Sequence, residues 1–453
     1  MSPGSVAASL LPAVFMTLVP PSTLGSAPRE GSSSRLHAAG ATAAGTLGTN
    51  VRIRGNARRA VERAVLQASR RLATASCQKV FSDFVDASGK PLQIHGISIG
   101  NWFVLEGYFW RFGGLSQAQS ELEQVFTDLL GPTHAQEFLY TWRQNFMSEA
   151  DVHRIKQDGF NTIRIPLHTK YFKTDDDEGF KLIDQLLKWC RPEHLYVILM
   201  LESGVGGFTG EASDDGPGYP WLLKDAGIQA YVADAWQRIA NHYKDDPTIL
   251  GYDLLNEPLL WNGYLDMESL IEPVYRQLTT AIRKVDTHHM LILQPPLGRF
   301  SAFGKPFDNN TVYSFHSYSA TPRPEFLQPY LDFRTKYHVP IFFSEIYTER
   351  SPEWSTAHVN LAEKYNIGWM IWPYKKMAGD TTGPYTFASP ADWPKIILFA
   401  HQPRDDRAVR DRNALRPPQK DTDAMFAEIL ENEKNEHVTV HPEYLELPGI
   451  SAH

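Results

Sequence analysis

Eight short apolar segments recur through the chain, at 92–100, 161–165, 196–201, 249–254, 290–293, 312–315, 341–343 and 368–371. Helix-like stretches separate most of them, at 148–158, 180–190, 228–243, 267–285, 325–337 and 355–365, with 391–400 closing the set. Short strands that are apolar on both faces and alternate with helices are the pattern of parallel strands covered on their outer side. Eight such units predict an α/β fold in which the sheet closes into a (β/α)8 TIM barrel, over residues 80–402. An open doubly wound sheet would carry a glycine-rich phosphate turn after its first strand, and Gly96 and Gly100 do not have that spacing.

The ends of the chain differ from this body. Residues 1–76 hold nine Arg against Glu30 and Glu62, a net charge of +7, which leaves −15 for the remainder of a chain whose total is −8. An acidic body excludes nucleic acid as the expected partner, because a phosphate backbone needs a basic surface. Leu10, Leu11, Val14, Phe15, Met16, Leu18 and Val19, followed by Gly25, Ser26 and Ala27, have the character of a secretory signal, although no Lys or Arg precedes them. An Ala-, Ser- and Arg-rich transit peptide is the alternative, so the expected location is secreted or extracytoplasmic, with organelle targeting as its rival. Residues 1–76 are therefore expected to be a cleaved or disordered leader, containing a basic helix at 58–72. No apolar run has the length of a membrane span. Cys77 and Cys190 lack metal-type spacing and are expected to be unpaired thiols. Residues 403–453 offer one helix, at 422–432, and are expected to form an extension that either covers the barrel or trails from it.

In a parallel barrel the C-terminal ends of the strands open onto one face, where reacting groups are displayed. The residues expected there are Glu106 in the loop after the first strand, Arg164 at the second, Glu202 at the third and Asn256 and Glu257 at the fourth. His316 and Tyr318 follow at the sixth, Glu345 at the seventh and Trp372 at the eighth. Each has a bland explanation: Arg164 a core ion pair, His316 a satisfied core histidine, Trp372 plain packing. Their convergence on one mouth favours chemistry. Cleaving a glycosidic bond needs one protonated acid at the leaving oxygen and one ionised carboxylate facing the anomeric carbon, roughly 5 to 5.5 Å apart in a retaining enzyme. Glu257 and Glu345 suit this work. Arg164 and Tyr318 beside Glu345 would favour its ionised form, while Glu257 near His316 and the apolar wall would hold its proton more readily. Eleven Trp and nineteen Tyr supply flat rings on which sugars stack.

Five runs carry a family resemblance: Gly251-Tyr252-Asp253-Leu254-Leu255-Asn256-Glu257-Pro258, Asn161-Thr162-Ile163-Arg164-Ile165-Pro166, Phe315-His316-Ser317-Tyr318, Phe343-Ser344-Glu345 and Gly368-Trp369-Met370-Ile371-Trp372. In order and spacing they resemble glycoside hydrolase family five. The opening run from Ile94 to Glu106, with Asn145-Phe146-Met147-Ser148-Glu149-Ala150-Asp151, is most similar to the exo-β-1,3-glucanase branch. The resemblance implies a retaining β-glycosidase acting on a β-linked glucan or glucoside, as a monomer and with no metal or cofactor. Position by position it implies Glu257 as acid/base, Glu345 as nucleophile, Asn256 on the sugar 2-hydroxyl, and Arg164 and Tyr318 positioning the nucleophile. It further implies His316 lining the site, Trp372 stacking under the sugar and Glu106 holding hydroxyls at the closed end of the pocket.

This chain also departs from the family pattern. Glu202, in Met200-Leu201-Glu202-Ser203-Gly204-Val205-Gly206, stands where the family has a His, and an acid there is expected to contact a substrate hydroxyl and to raise neighbouring carboxylate pKa values. Ser344 replaces a Gly, and Ile346 replaces a Trp. These changes leave open a β-mannanase, a cellulase, a glycolipid glucosidase, or a catalytically silent carbohydrate-binding barrel.

Overall fold

The computed structural model describes residues 78–80, 83–85, 90–113, 118–260, 262–318, 321–347, 351–379, 383–403 and 409–450. The segment expected as a leader, the helix expected at 58–72 and Cys77 lie outside them. Eight parallel strands close into a barrel: β1 (His95–Ser98), β2 (Thr162–His168), β3 (Tyr196–Ser203), β4 (Ile249–Asp253), β5 (Met290–Leu293), β6 (Thr311–Ser317), β7 (Ile341–Tyr347) and β8 (Gly368–Trp372). Closure is made by β8 on β1, with Trp369 opposite His95. Apolar side chains fill the interior, among them Ile198, Leu250, Ile292, Val312, Phe342 and Met370. Beside them packs Phe84, from a hairpin of Gln78–Val80 and Asp83–Val85, with its ring edge-on to Phe342 at 6.3 Å. Gly96 is dictated by this packing, since a Cβ there would lie 2.2 Å from the Met370 methyl carbon and 2.9 Å from the Thr162 carbonyl oxygen.

Helices cover the outer faces for the reason their spacing predicts. In α4 (Glu178–Cys190), Phe180, Ile183, Leu186, Leu187 and Cys190 are buried on one stripe. Cys190 carries a free thiol that burial pushes up to about 12. The helix α3 (Glu149–Gln157) starts on a reciprocal cap: the Ser148 hydroxyl accepts from the Asp151 amide, and Asp151 accepts from the Ser148 amide at 2.9 Å. Such a cap stabilises a helix by about 1 kcal/mol.

Several elements differ from their predicted bounds. The helix expected over 267–285 begins only at Ile271 as α6 (Ile271–Arg283), after a 3-10 stretch at Asn262–Leu270. Pro273 explains the delay, because proline lacks an amide hydrogen and is tolerated only in a helix's first turn. The stretch after β1, for which no helix was expected before 148, folds into α1 (Gln119–Leu130) and α2 (Pro132–Asn145). Gly131 breaks them at φ 80°, and Pro132 starts the second.

The C-terminal extension packs on α1, α2 and the segment after β8. Its helix α11 (Gln419–Asn432) seats Phe426 against Phe138 at 4.8 Å, Phe126 at 5.3 Å and Trp393 at 5.5 Å. A small sheet of Lys375–Met377, Tyr385–Phe387 and Thr439–Val440, too short to show a period, adds a second tie. Beneath it, buried Lys375 donates to Asp151 at 3.2 Å and to the Glu433 carbonyl at 2.9 Å. Among the described residues no helix is long and apolar enough to cross a membrane.

Candidate active site

Strand ends position the site, but several of its residues lie inside strands rather than just past them. Arg164 sits mid-strand in β2, Glu202 near the end of β3, His316 in β6, Glu345 in β7, and Trp372 closes β8. The reason is that β6 and β7 pair beyond their apolar runs: His316 is the ladder partner of Glu345, after a register shift at Phe315. Period-two alternation then turns both side chains inward. Arg164 lies inside its expected strand, and β3, β6, β7 and β8 run past their expected apolar stretches to take in Glu202, His316, Glu345 and Trp372, while Asn256, Glu257, Tyr318 and Glu106 follow their strands.

Arg164 is the hub. Fully buried, it donates from Nε and Nη2 to Asp253 Oδ2 at 3.0 and 2.8 Å, from Nη1 to Glu345 Oε1 at 2.5 Å, and from Nη2 to Asn256 Oδ1 at 2.9 Å. Burial opposes its charge, but the carboxylates of Asp253 and Glu345 outweigh burial and hold it more firmly cationic than usual. The Tyr318 hydroxyl donates to the other oxygen of Glu345. Two directed donors thus fix the plane of the Glu345 carboxyl.

Glu257 is positioned by its backbone. Its φ of 48° is in the left-handed region, which costs a non-glycine residue about 1 to 2 kcal/mol and is found where function requires a particular aim. The Gln294 side chain accepts from the Glu257 amide at 2.9 Å and supports that kink. The carboxyl then meets His316 Nδ1 at 2.7 Å, and the same nitrogen lies 3.3 Å from Glu345 Oε2. One oxygen of Glu257, one of Glu345 and a ring nitrogen of His316 all lie within 4.8 Å of one another. Burial would lower the His316 pKa, but Glu345 and Glu257 reverse this and raise it above 6.5, so the ring donates between two carboxyls. This trio has the spacing to hold a metal ion, yet both Glu345 oxygens already accept protein hydrogen bonds.

Trp372 forms one wall, 5% exposed, its indole N–H donating to the Tyr108 hydroxyl at 2.7 Å. Glu202 is buried at the end of β3, and the charge of Glu106 acts on it. Tyr219, Trp221 and Tyr264 build an aromatic face on the loops after β3 and β4, with ring centroids 4.7 and 5.3 Å apart and Trp221 45% exposed.

Sequence reasoning missed two parts of the hydrogen-bond frame. Asp253 ends β4 and anchors Arg164. Gln294 also reaches Asn256 Oδ1 at 3.3 Å and Asp253 Oδ2 at 3.4 Å. The signal for Gln294 was available: it is the first residue after β5, the strand for which no rim residue was expected.

A closed parallel barrel with two glutamates side by side at its C-terminal mouth, one on β7 and one after β4, defines the architecture of a glycosidase-like barrel protein. Residues 123–377 match the model of the cellulase family, glycosyl hydrolase family 5, and the chain belongs to that family. Its relatives include a beta-xylosidase of Phanerodontia chrysosporium, 29% identical over 258 residues that span 54% of this chain and 52% of that protein. Another is the sporulation-specific glucan 1,3-beta-glucosidase of Saccharomyces cerevisiae, 28% identical over 225 residues, 44% of this chain and 48% of that protein. The chain spans about half the length of these curated relatives. The crystal structure of AoRut shares the fold, with a TM-score of 0.51 at 17% identity over 64% of this chain and 90% of that one.

Proposed function

We propose that the protein is a retaining β-glycosidase that hydrolyses β-glucosidic bonds of a glucan or glucoside by double displacement. The observation that carries this reading is the spacing of Glu257 and Glu345, whose nearest oxygens lie within 4.8 Å. That is close to the roughly 5 to 5.5 Å expected of a retaining pair and well short of the roughly 6.5 to 9.5 Å that lets an inverting pair admit a water. Glu345, held by Arg164 and Tyr318, attacks the anomeric carbon. Glu257 protonates the leaving oxygen, then activates water to release the sugar, with His316 Nδ1–H as its hydrogen-bond partner. Asn256 uses its Oδ1 on Arg164 and Gln294, so its amide N–H groups are the ones turned to the sugar 2-hydroxyl. Trp372 stacks under the ring, and Glu106 takes hydroxyls at the closed end.

The substrate class rests on the names of relatives such as the glucan 1,3-beta-glucosidase of Candida oleophila, 29% identical over 193 residues. The apolar segment near the N-terminus supports action outside the cytoplasm, and we read 80–402 as the catalytic unit of a monomer with 403–453 as its C-terminal extension. Turnover of aryl β-glucosides against aryl β-xylosides, with β-linked oligosaccharides alongside, tests the reading. Glu345→Gln is expected to reduce turnover by at least about 10^3-fold with the circular dichroism spectrum unchanged. Sugar binding by calorimetry with no product from the native protein would overturn it in favour of a silent barrel.

A further inference from the structure

At the mouth of the barrel, charged groups are matched almost everywhere. Glu345 accepts from Arg164 and Tyr318, Glu257 bonds His316, and Asp253 takes Arg164 and Gln294 on one oxygen. Asp253 Oδ1 and His316 Nε2 are bare, but each of these residues has a partner on its other polar atom; Glu202 differs. It is 6% exposed, its Oε2 is buried, and among the described residues its side chain has neither an ion pair nor a hydrogen bond. It sits where the β2–β3 register shifts, between Leu201 opposite Leu167 and Ser203 opposite His168, and it belongs to the mouth because Glu106, Glu345, Glu257 and Arg164 all act on it. A buried carboxyl with a bare oxygen is unfavourable unless a partner arrives.

The surroundings say what kind of partner. Burial, then the carboxylates of Glu106 after β1, Glu345 on β7 and Glu257 after β4, push Glu202 well above the ordinary carboxylate range, against the pull of Arg164 on β2. A carboxyl kept neutral has an O–H to donate and a carbonyl oxygen to accept. An anionic group would be repelled by the neighbouring carboxylates, and an apolar one would leave Oε2 bare. A hydroxyl, which accepts and donates at once, satisfies both atoms.

We propose that Glu202 is the residue that selects the sugar ring held for cleavage, by gripping one ring hydroxyl with a donated and an accepted hydrogen bond. The proposal rests on the assignment of Glu257 and Glu345 as the reacting pair, since it places the ring beside them. Glu202 acts as a neutral acid in that grip.

The test uses aryl β-glucosides lacking the 2-, 3-, 4- or 6-hydroxyl in turn, with native protein, Glu202→Leu and Glu202→Gln. Glu202→Leu is expected to lower kcat/KM on the full glucoside roughly 10- to 100-fold, yet to cost nothing further on the one deoxy sugar whose hydroxyl Glu202 holds. Glu202→Gln, neutral but still donor and acceptor, is expected to recover most of that loss. Equal penalties for every deoxy sugar in Leu and native protein would overturn the proposal. A Gln variant as poor as Leu would also overturn it, by showing a charged carboxylate at work, and gain of 2-amino-2-deoxyglucoside turnover by the native protein over both variants would point to an ammonium ligand instead. If the native protein turns over none of these substrates, the catalytic reading fails by itself, and the same deoxy series measured as calorimetric affinities of the native protein and both variants decides Glu202 by the same criteria.

Discussion

The mouth of the barrel has two corners built on opposite terms. At β2, β4 and β7, Arg164, Asp253, Asn256 and Glu345 are tied together in a buried hydrogen-bond network. At the end of β3, Glu202 is equally buried but answered by no donor among the described residues. In the first corner Asp253 Oδ1 is left bare, but the network holds the Glu345 carboxyl in place before substrate arrives. The second is completed only by what binds, which is where a family barrel can change its choice of substrate while keeping its chemistry.

Breaking the first corner has the largest effect. Arg164→Met strands Asp253 and Glu345 as buried carboxyls, and is expected to cost about 3 to 5 kcal/mol of stability and most of the activity. Thermal melting and aryl glucoside assays measure both, and an unchanged melting temperature would show that the network is not the anchor described. Glu257→Gln comes next. Turnover of alkyl or sugar leaving groups is expected to fall 10^2- to 10^4-fold, while good leaving groups, which need less protonation, suffer less. Equal losses across leaving groups would remove Glu257 from the acid role.

Gln294→Ala removes the acceptor that supports the left-handed backbone of Glu257. An approximately tenfold loss in kcat/KM with little change in melting temperature is expected, the scale of one hydrogen bond.

The smallest effect sharpens the other corner. Glu202 has a folded-state pKa above its ordinary 4.5, so below pH 4.5 it is protonated in both states and its stabilising contribution is fully present. As pH rises the unfolded chain ionises first, and that contribution is lost until the folded carboxyl also titrates. Glu202→Gln should therefore melt a few degrees higher than native protein at pH 7 and show no advantage at pH 4. An advantage of the same size at both pH values would point to packing instead of charge.

Much of this was readable along the chain because it is local. Val197, Leu199 and their neighbours record a strand buried on both faces, Phe180 to Cys190 record a helical stripe, and Asn256-Glu257-Pro258 marks where a strand stops. Helix starts were misjudged where one residue overrode periodicity, as Pro273 did. Extensions too short to have a period, such as Thr439–Val440, left no trace.

The sequence alone determined the barrel and named both glutamates, because apolar periodicity and strand-end chemistry are properties of neighbouring residues. Tertiary structure decided what those residues do to one another. Arg164 meets partners 89 and 181 positions away, His316 faces Glu345 only through a shifted register, and Gln294 supports a kink 37 residues earlier. Glu202 became an unanswered carboxyl only when closure of the barrel brought three other acids to its side and shut out water. Charge, burial and pairing depend on distance in space, and a linear chain does not carry that distance.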